Sequence, residues 1–306
     1  MGKNLPDRVT LIEVGPRDGF QFESQIIPID LKLEIIRGLI DAGLKQIQVT
    51  SFVHPAKVPQ MADAEELVRR LPESAAVNYS GLVLNTRGVQ RAHRAGLTHV
   101  EVSISASDTH SRKNTGMTFD GAVAQAREMI RLAHKEDMNI RAGIQCAFGC
   151  VYEGAISRQR ILHIVRDFVS CGVDAIAISD TTGMANPVAV KKLITMLLPE
   201  TGSIPMMLHF HDTRGLGLAN VLAALQCGIT HFDTALAGMG GCPFVPGAAG
   251  NIATEDTANL MASMGIATGI DISKVGRCSL RLEELLNKKF PGKIHHLPPL
   301  IRSGRN

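Results

Sequence analysis

A chain of 306 residues, 45% hydrophobic and 20% charged, is long enough for two ordinary domains or one large α/β barrel. Its formal charge of +3 is small and unclustered, which argues against nucleic acid or an anionic membrane as a partner, and no apolar run approaches the ~20 residues of a membrane span. The opening MGKNLPDRV has neither an apolar core nor an Arg/Ser-rich amphipathic segment, and the six cysteines form no paired framework, so a cytoplasmic protein with reduced thiols is expected.

Along the chain, apolar β-branched runs alternate with segments of helical period. Strands are predicted near 9–14, 46–50, 78–84, 98–105, 139–146, 173–179, 204–210 and 230–235. Helices are predicted at about 29–42, 62–71, 86–95, 119–136, 157–171, 187–198, 215–227 and 253–264. One phrase recurs at the joints, in which a small residue and a glycine end a helix and a strand follows. It reads DAGLKQIQVT (41–50), RAGLTHVEVS (94–103), SCGVDAIAIS (170–179) and QCGITHFDTA (226–235). Glycine tolerates the left-handed conformation that stops a helix, and the run after it favours a strand. Ile27-Pro28 and Asn186-Pro187 mark helix entrances, proline being tolerated in the first turn. Eight β/α units in about 250 residues predict an α/β fold of the (β/α)8 barrel type, with a doubly wound open sheet as the alternative. The barrel is expected over about 9–267 of a single catalytic domain spanning 1–306. Residues 268–306 form a short C-terminal helical appendage whose last segment, HHLPPLIRSGRN, reads as loosely ordered.

Barrels of this kind build their sites at the C-terminal ends of the strands, and the reactive residues fall there. The first strand runs into GPRDG, with Arg17 and Asp18 just past its end. The sixth runs into SDTTG, with Asp180. The seventh ends in LHFHDTRG, where strand alternation points His209 and His211 to one face. The eighth leads to LAGMGGCPFVPGAAGN, holding Cys242 and Asn251, and then Glu255. A carboxylate, two imidazoles and a carboxamide suit a six-coordinate divalent ion, Mg²⁺ or Mn²⁺, with Zn²⁺ the less favoured choice. Plainer accounts exist: a surface ion pair for Arg17 and Asp18, and a small buried hydrophobe for Cys242. Their place in Gly/Pro-shaped loops at the catalytic end favours function. His54, after the second strand, sits near the expected rim. His93, His99, His163 and His231 lie within helix or strand patterns and read as structural, as do Cys146, Cys150, Cys171, Cys227 and Cys278.

EVGPRDGFQ (13–21), TSFVHPAKVPQM (50–61), CAFGCVYEG (146–154), SDTTG (179–183), HFHDTRG (209–215) and GMGGCPFVPGAAGNIATED (238–256) resemble the hydroxymethylglutaryl-CoA lyase family, over about residues 9–290. That family belongs to a metal-dependent lyase/synthase superfamily of TIM barrels. The resemblance implies Asp18, His209, His211 and Asn251 as metal ligands, Arg17 at the thioester oxyanion, and Cys242 as a proton carrier. It also implies Asp180 and Glu255 as active-site carboxylates, Asn287 and Lys289 as coenzyme A contacts, and a homodimer. The implied reaction is a retro-Claisen cleavage of a 3-hydroxyacyl-CoA to acetyl-CoA and a keto acid, with Asp180 chosen as the base for the hydroxyl proton.

This chain departs from the family in carrying Gln48 for a glutamate, Arg214-Gly215-Leu216 for Tyr-Gly-Gln, and Ser24 for a lysine. Gln48 and Arg214 are therefore candidates for adapting the pocket to a differently placed carboxylate, for example in citramalyl-CoA, which would yield pyruvate. A condensing synthase is a second possibility, opposed by the lyase-type loop at Cys242 and the lack of a large regulatory extension. A non-catalytic binding barrel is a third, opposed by the intact ligand set.

Overall fold

All eight apolar runs form strands: β1 (Thr10–Glu13), β2 (Gln46–Ser51), β3 (Asn78–Val83), β4 (His99–Ser105), β5 (Asn139–Gln145), β6 (Ala175–Ser179), β7 (Met206–His209) and β8 (His231–Thr234). Each pairs in parallel with its sequence neighbour, and β1 pairs with β8, so the sheet closes into a barrel. Closure rules out the open doubly wound alternative. The structure is a computed structural model, described for residues 5–241 and 249–298. Cys242 lies outside the described residues.

The connecting helices are α1 (Ile29–Asp41), α2 (Ala64–Arg69), α3 (Thr86–Ala95), α4 (Asp108–Thr115), α5 (Phe119–Lys135), α6 (Arg158–Ser170), α7 (Pro187–Thr201), α8 (Gly217–Leu225) and α9 (Thr254–Ser263); α10 (Ile272–Leu286) forms the appendage. At the recurring joints Gly43, Gly96, Gly172 and Gly228 all have φ between 76° and 101°, the conformation that ends a helix without steric cost only in glycine. Side chains of Asn85, Thr118 and Asn186 cap the entrances of α3, α5 and α7 by accepting first-turn N–H groups. On α1, Leu33, Ile36 and Leu39 fall at helical spacing and are buried against the barrel, each contributing roughly 1.5–3 kcal/mol.

Two segments differ from expectation. Helix α4 was not foreseen, because DTHSRKNT has no apolar stripe to signal it; its Ser107 cap and the Asp108–Arg112 pair define it instead. The opening of the C-terminal segment is not loose. Ile294–His296 makes a tight turn, and the His295 side chain is fully buried.

His295 stands between two carboxylates, with Nδ1 3.3 Å from Glu255 and Nε2 3.3 Å from Glu283. Burial alone would lower its pKa, but the two carboxylates outweigh it and the net direction is upward. A histidine raised on folding stabilises fully below its unfolded pKa, and that stability is lost as pH rises through the folded value. His295→Gln is therefore expected to lower the melting temperature by roughly 2–4 °C near pH 6. Melting curves taken across pH should show the deficit shrinking on the alkaline side.

Candidate active site

The loop after β1 is a π-helical turn, Gly15–Gly19, that carries Arg17 and Asp18 into the mouth of the barrel. Glu13 sets it. Its carboxyl accepts the N–H of Gly15 at 2.8 Å, the N–H of Leu236 at 2.9 Å and the Thr254 hydroxyl at 2.7 Å, tying the β1 turn to the end of β8. Gly15 is required here, since a Cβ would stand 2.3 Å from Leu236 and 2.6 Å from Glu13. Burial pushes the Glu13 pKa up to about 8 despite these hydrogen bonds, so it holds a proton at neutral pH.

Asp18, His209 and His211 converge, their ligand atoms all within 4.8 Å of one another. The two imidazole Nε2 atoms are 3.0 Å apart, and His209 Nε2 lies 3.8 Å from Asp18 Oδ2. His209 Nδ1 meets Asp233 Oδ2 at 3.1 Å, which places its proton there and leaves the Nε2 lone pair facing the cluster. Burial, with His209 next to it, lowers the His211 pKa to about 3, so its ring stays neutral and able to ligate. Burial would raise Asp18, but Arg17 and the two histidines outweigh it and hold it below the ordinary carboxylate value. Asn251 donates Nδ2 to Asp18 at 2.8 Å and to the Met239 carbonyl at 2.9 Å. Its buried Oδ1 has no hydrogen-bond partner. An orphaned carboxamide oxygen, two imidazoles and a carboxylate are the donors a divalent cation takes, so the residues fit a metal.

These groups open onto a cavity of about 160 Å³ lined by Arg17, Asp18, Glu101, His110, His209 and His211 among others. Arg17 Nη1 pairs with Asp18, and its Nε donates to Gln48 Oε1. The other candidate residues stand further out. Asp180 does not line the cavity. Its Oδ1 accepts the N–H groups of Met184 and Ala185 at 2.8 and 3.0 Å, its Oδ2 is buried and unpartnered, and burial raises its pKa to about 6.

Glu255, expected at the active site, is instead fully buried beneath the end of β8. It accepts the Ala237 N–H at 3.0 Å and the Ser279 hydroxyl and faces His295, so it holds the loop and does not meet the cavity. Arg214 is exposed and donates to the carbonyls of Thr182 and Gly183, both at 2.7 Å; the guanidinium fastens the turn after β6 and does not line this cavity. His54 is exposed, with Nδ1 accepting from the Ala56 N–H, and it too lies off the cavity. Asn287 is exposed and caps α10 at φ 48°, and Lys289 is exposed and paired with Glu283 at 3.2 Å.

Sequence reasoning passed over Glu13, Glu101, His110, Arg141 and Asp233. Arg141 crosses the barrel interior, Nη1 at 2.9 Å from Asp233 Oδ1 and Nε at 3.3 Å from Glu101 Oε2. The available signal was a lone charged residue inside each apolar strand: HVEVSIS, NIRAGIQ and HFDT. A charge in the middle of a core strand must be paired across the interior. His110 lies in the first turn of α4, in the loop-and-helix segment after β4, and burial depresses its pKa to about 4.

Two measurements probe this arrangement. Between about pH 4.5 and 8 the unfolded chain has released the Glu13 proton that the folded chain keeps, so Glu13 makes stability fall as pH rises. Glu13→Gln cannot titrate, and its melting temperature should gain on the wild type steadily across that range. Asp233→Asn leaves one acceptor oxygen where Arg141 and His209 now share two, and is expected to weaken Mn²⁺ binding about 10- to 100-fold, read by calorimetric titration.

The HMGL-like family model matches residues 8–280 of this chain. The chain is 39% identical over 290 residues to the cytoplasmic 3-hydroxy-3-methylglutaryl-CoA lyase of Mus musculus, spanning 95% of this chain and 84% of that one. It is 37% identical to the mitochondrial hydroxymethylglutaryl-CoA lyase of Bos taurus, spanning 95% and 89%. The structure of an HMG-CoA lyase from Acinetobacter baumannii, in complex with coenzyme A and 3-methylmalate, superposes with a TM-score of 0.93 at 36% identity over 99% of both chains. With closed barrel, converging ligands and full-length similarity in agreement, the chain belongs to the HMGL-like family.

Proposed function

We propose that the protein is a divalent-metal-dependent carbon–carbon lyase that cleaves 3-hydroxy-3-methylglutaryl-CoA to acetyl-CoA and acetoacetate. The observation that carries it is the placement of Arg17 beside the buried Asp18–His209–His211 cluster at one cavity, in a chain 39% identical to a lyase of that name. Asp18, His209, His211 and Asn251 would hold the cation, with Mg²⁺ or Mn²⁺ favoured over Zn²⁺ by the two oxygen donors. A cation there supplies Lewis acidity that lowers the pKa of the substrate hydroxyl.

The chain's own groups do the rest. Asp180 as the acceptor of the hydroxyl proton rests on the family resemblance; its pKa is raised to about 6 and one oxygen is unpartnered, but it stands outside the cavity wall. The C–C bond breaks as the hydroxyl carbon becomes a carbonyl, and its electron pair passes to the thioester. Arg17 faces the negative charge growing on the thioester oxygen. Cys242 returns a proton to the enolate carbon, a role supported by the family resemblance alone. Asn287 and Lys289 would meet coenzyme A on the same support. They belong to a segment that Lys288 ties to Glu23 at 2.7 Å, next to the β1 turn. A homodimer rests on the family resemblance. A cytoplasmic location rests on the similarity to cytoplasmic lyases, and among the described residues no helix is long and apolar enough to cross a membrane.

A second substrate is favoured by one observation: the cavity carries the carboxylate of Glu101 beside a neutral Gln48. That altered charge placement suits the same chemistry on a different acyl group, such as citramalyl-CoA. Arg214, bonded to main-chain carbonyls, drops out as its cause. Acetyl-CoA release is to be measured from both thioesters with Mg²⁺, Mn²⁺ or EDTA. Metal-dependent cleavage of the hydroxymethylglutaryl thioester, abolished by EDTA, is expected. Preference for citramalyl-CoA would move the substrate and keep the mechanism, and cleavage of neither would overturn the proposal.

A further inference from the structure

Arg17 reaches the interior of the barrel through one side chain. Its Nε donates to Gln48 Oε1, and Gln48 Nε2 in turn donates to Glu101 Oε2 at 2.8 Å. Glu101 is buried and lies 3.3 Å from Arg141, which is itself held by Asp233. A carboxamide accepts at one end and donates at the other, and only one orientation satisfies both neighbours. An ionised carboxylate can only accept, so Glu101 fixes which end of Gln48 faces Arg17. Were the amide reversed, its NH₂ would oppose the guanidinium N–H, two donors face to face in a buried site.

We propose that Glu101 is a positioning residue of the active site, acting through Gln48 to fix the guanidinium of Arg17; this rests on the lyase function given above. Nε is held by Gln48 and Nη1 by Asp18, and Arg17 lines the cavity. A neutral partner at position 48 leaves the Arg17 charge less compensated than a carboxylate there would, and the compensating negative charge stands one side chain further away.

The pairing predicts a reciprocal exchange. Gln48→Glu sets two carboxylates at hydrogen-bond distance, which cannot both ionise there. Glu101→Gln leaves the Gln48 amide without a fixed acceptor. The double variant carrying both changes restores one carboxylate and one carboxamide, with an acceptor for Arg17 and a donor between the two chains. Each single variant is expected to lose about 10- to 100-fold in kcat with KM within about threefold, the signature of a misplaced catalytic group. The double variant is expected to recover most of that loss, since residues in one hydrogen-bond network are strongly non-additive.

A double variant no better than the worse single one, or losses confined to KM, would overturn the proposal. A second readout is independent of turnover. The Arg17 Nε–H resonance, assigned by its loss in Arg17→Lys, should be sharp and slow to exchange in the wild type. It should be broadened in each single variant and recovered in the double. Should the wild type cleave neither thioester, the lyase function falls and this resonance alone decides: recovery in the double variant upholds the pairing, and its absence overturns it.

Discussion

The buried pair between Arg141 and Asp233 is the interaction on which the interior of this barrel depends. (β/α)8 barrels ordinarily fill their centre with layers of aliphatic side chains. Here one layer is ionic, and taking two charges out of water costs several kcal/mol per ion unless each is fully partnered. Both are ion-paired. Arg141 reaches Asp233 with two nitrogens, and its Nε, which makes no hydrogen bond, lies 3.3 Å from Glu101, while Asp233 also receives His209. Asp233 is thereby held ionised against the upward pull of burial. Strands on opposite sides of the barrel are locked in register by a contact that no aliphatic layer could make directional.

The consequence reaches the mouth of the barrel along two routes. Through Asp233 the ionic layer sets the tautomer of His209, and with it the lone pair that faces Asp18 and His211. Through Glu101 and Gln48 it reaches Arg17. The candidate metal site and the Arg17 edge of the cavity are therefore braced by the same charges beneath them. Such bracing is what holds a catalytic constellation to sub-ångström tolerance on rigid strands rather than on loops.

Much of this was legible in the sequence, for definite reasons. The helix–glycine–strand phrase encodes a left-handed φ followed by an apolar run at four joints, the other four strands show as apolar runs alone, and these signals are local, so the eight strands were found to within about two residues. Asp18, His209 and His211 were legible because strand alternation and position after a strand fix where they point. Partners across the barrel were not. Nothing near Gln48 in the chain announces Glu101, 53 positions away, and nothing near Arg141 announces Asp233, 92 positions away. Glu255 was misplaced for the same reason: it follows the glycine-rich loop in sequence, but the first turn of α9 points it away from the cavity, toward Ser279 and His295 of the appendage. Arg214 suggested a ligand contact because it is a cation at a rim, whereas the carbonyls of Thr182 and Gly183 in the turn after β6 take it.

The appendage completes the argument, because it binds the two loops that a barrel alone would leave free. Lys288 holds Glu23 beyond the β1 turn, the Gly292 N–H donates to the Ala237 carbonyl at 2.8 Å, and His295 faces the carboxylate that supports the Ala237 N–H. Glu13 ties the same two loops together from inside. The β1 and β8 ends, which supply Arg17, Asp18 and Asn251, are thus clamped from below by a protonated carboxyl and from outside by the C-terminal segment. The β2 to β5 side of the mouth is tied by other contacts, Gln48 donating to Glu101 and the Thr109 N–H to Glu153, and there the cavity is lined by Glu101, His110 and Gln145. Chemistry common to the family needs the first side held still. The second side is tied to Arg17 through Glu101 and Gln48, so a change there is felt on the first.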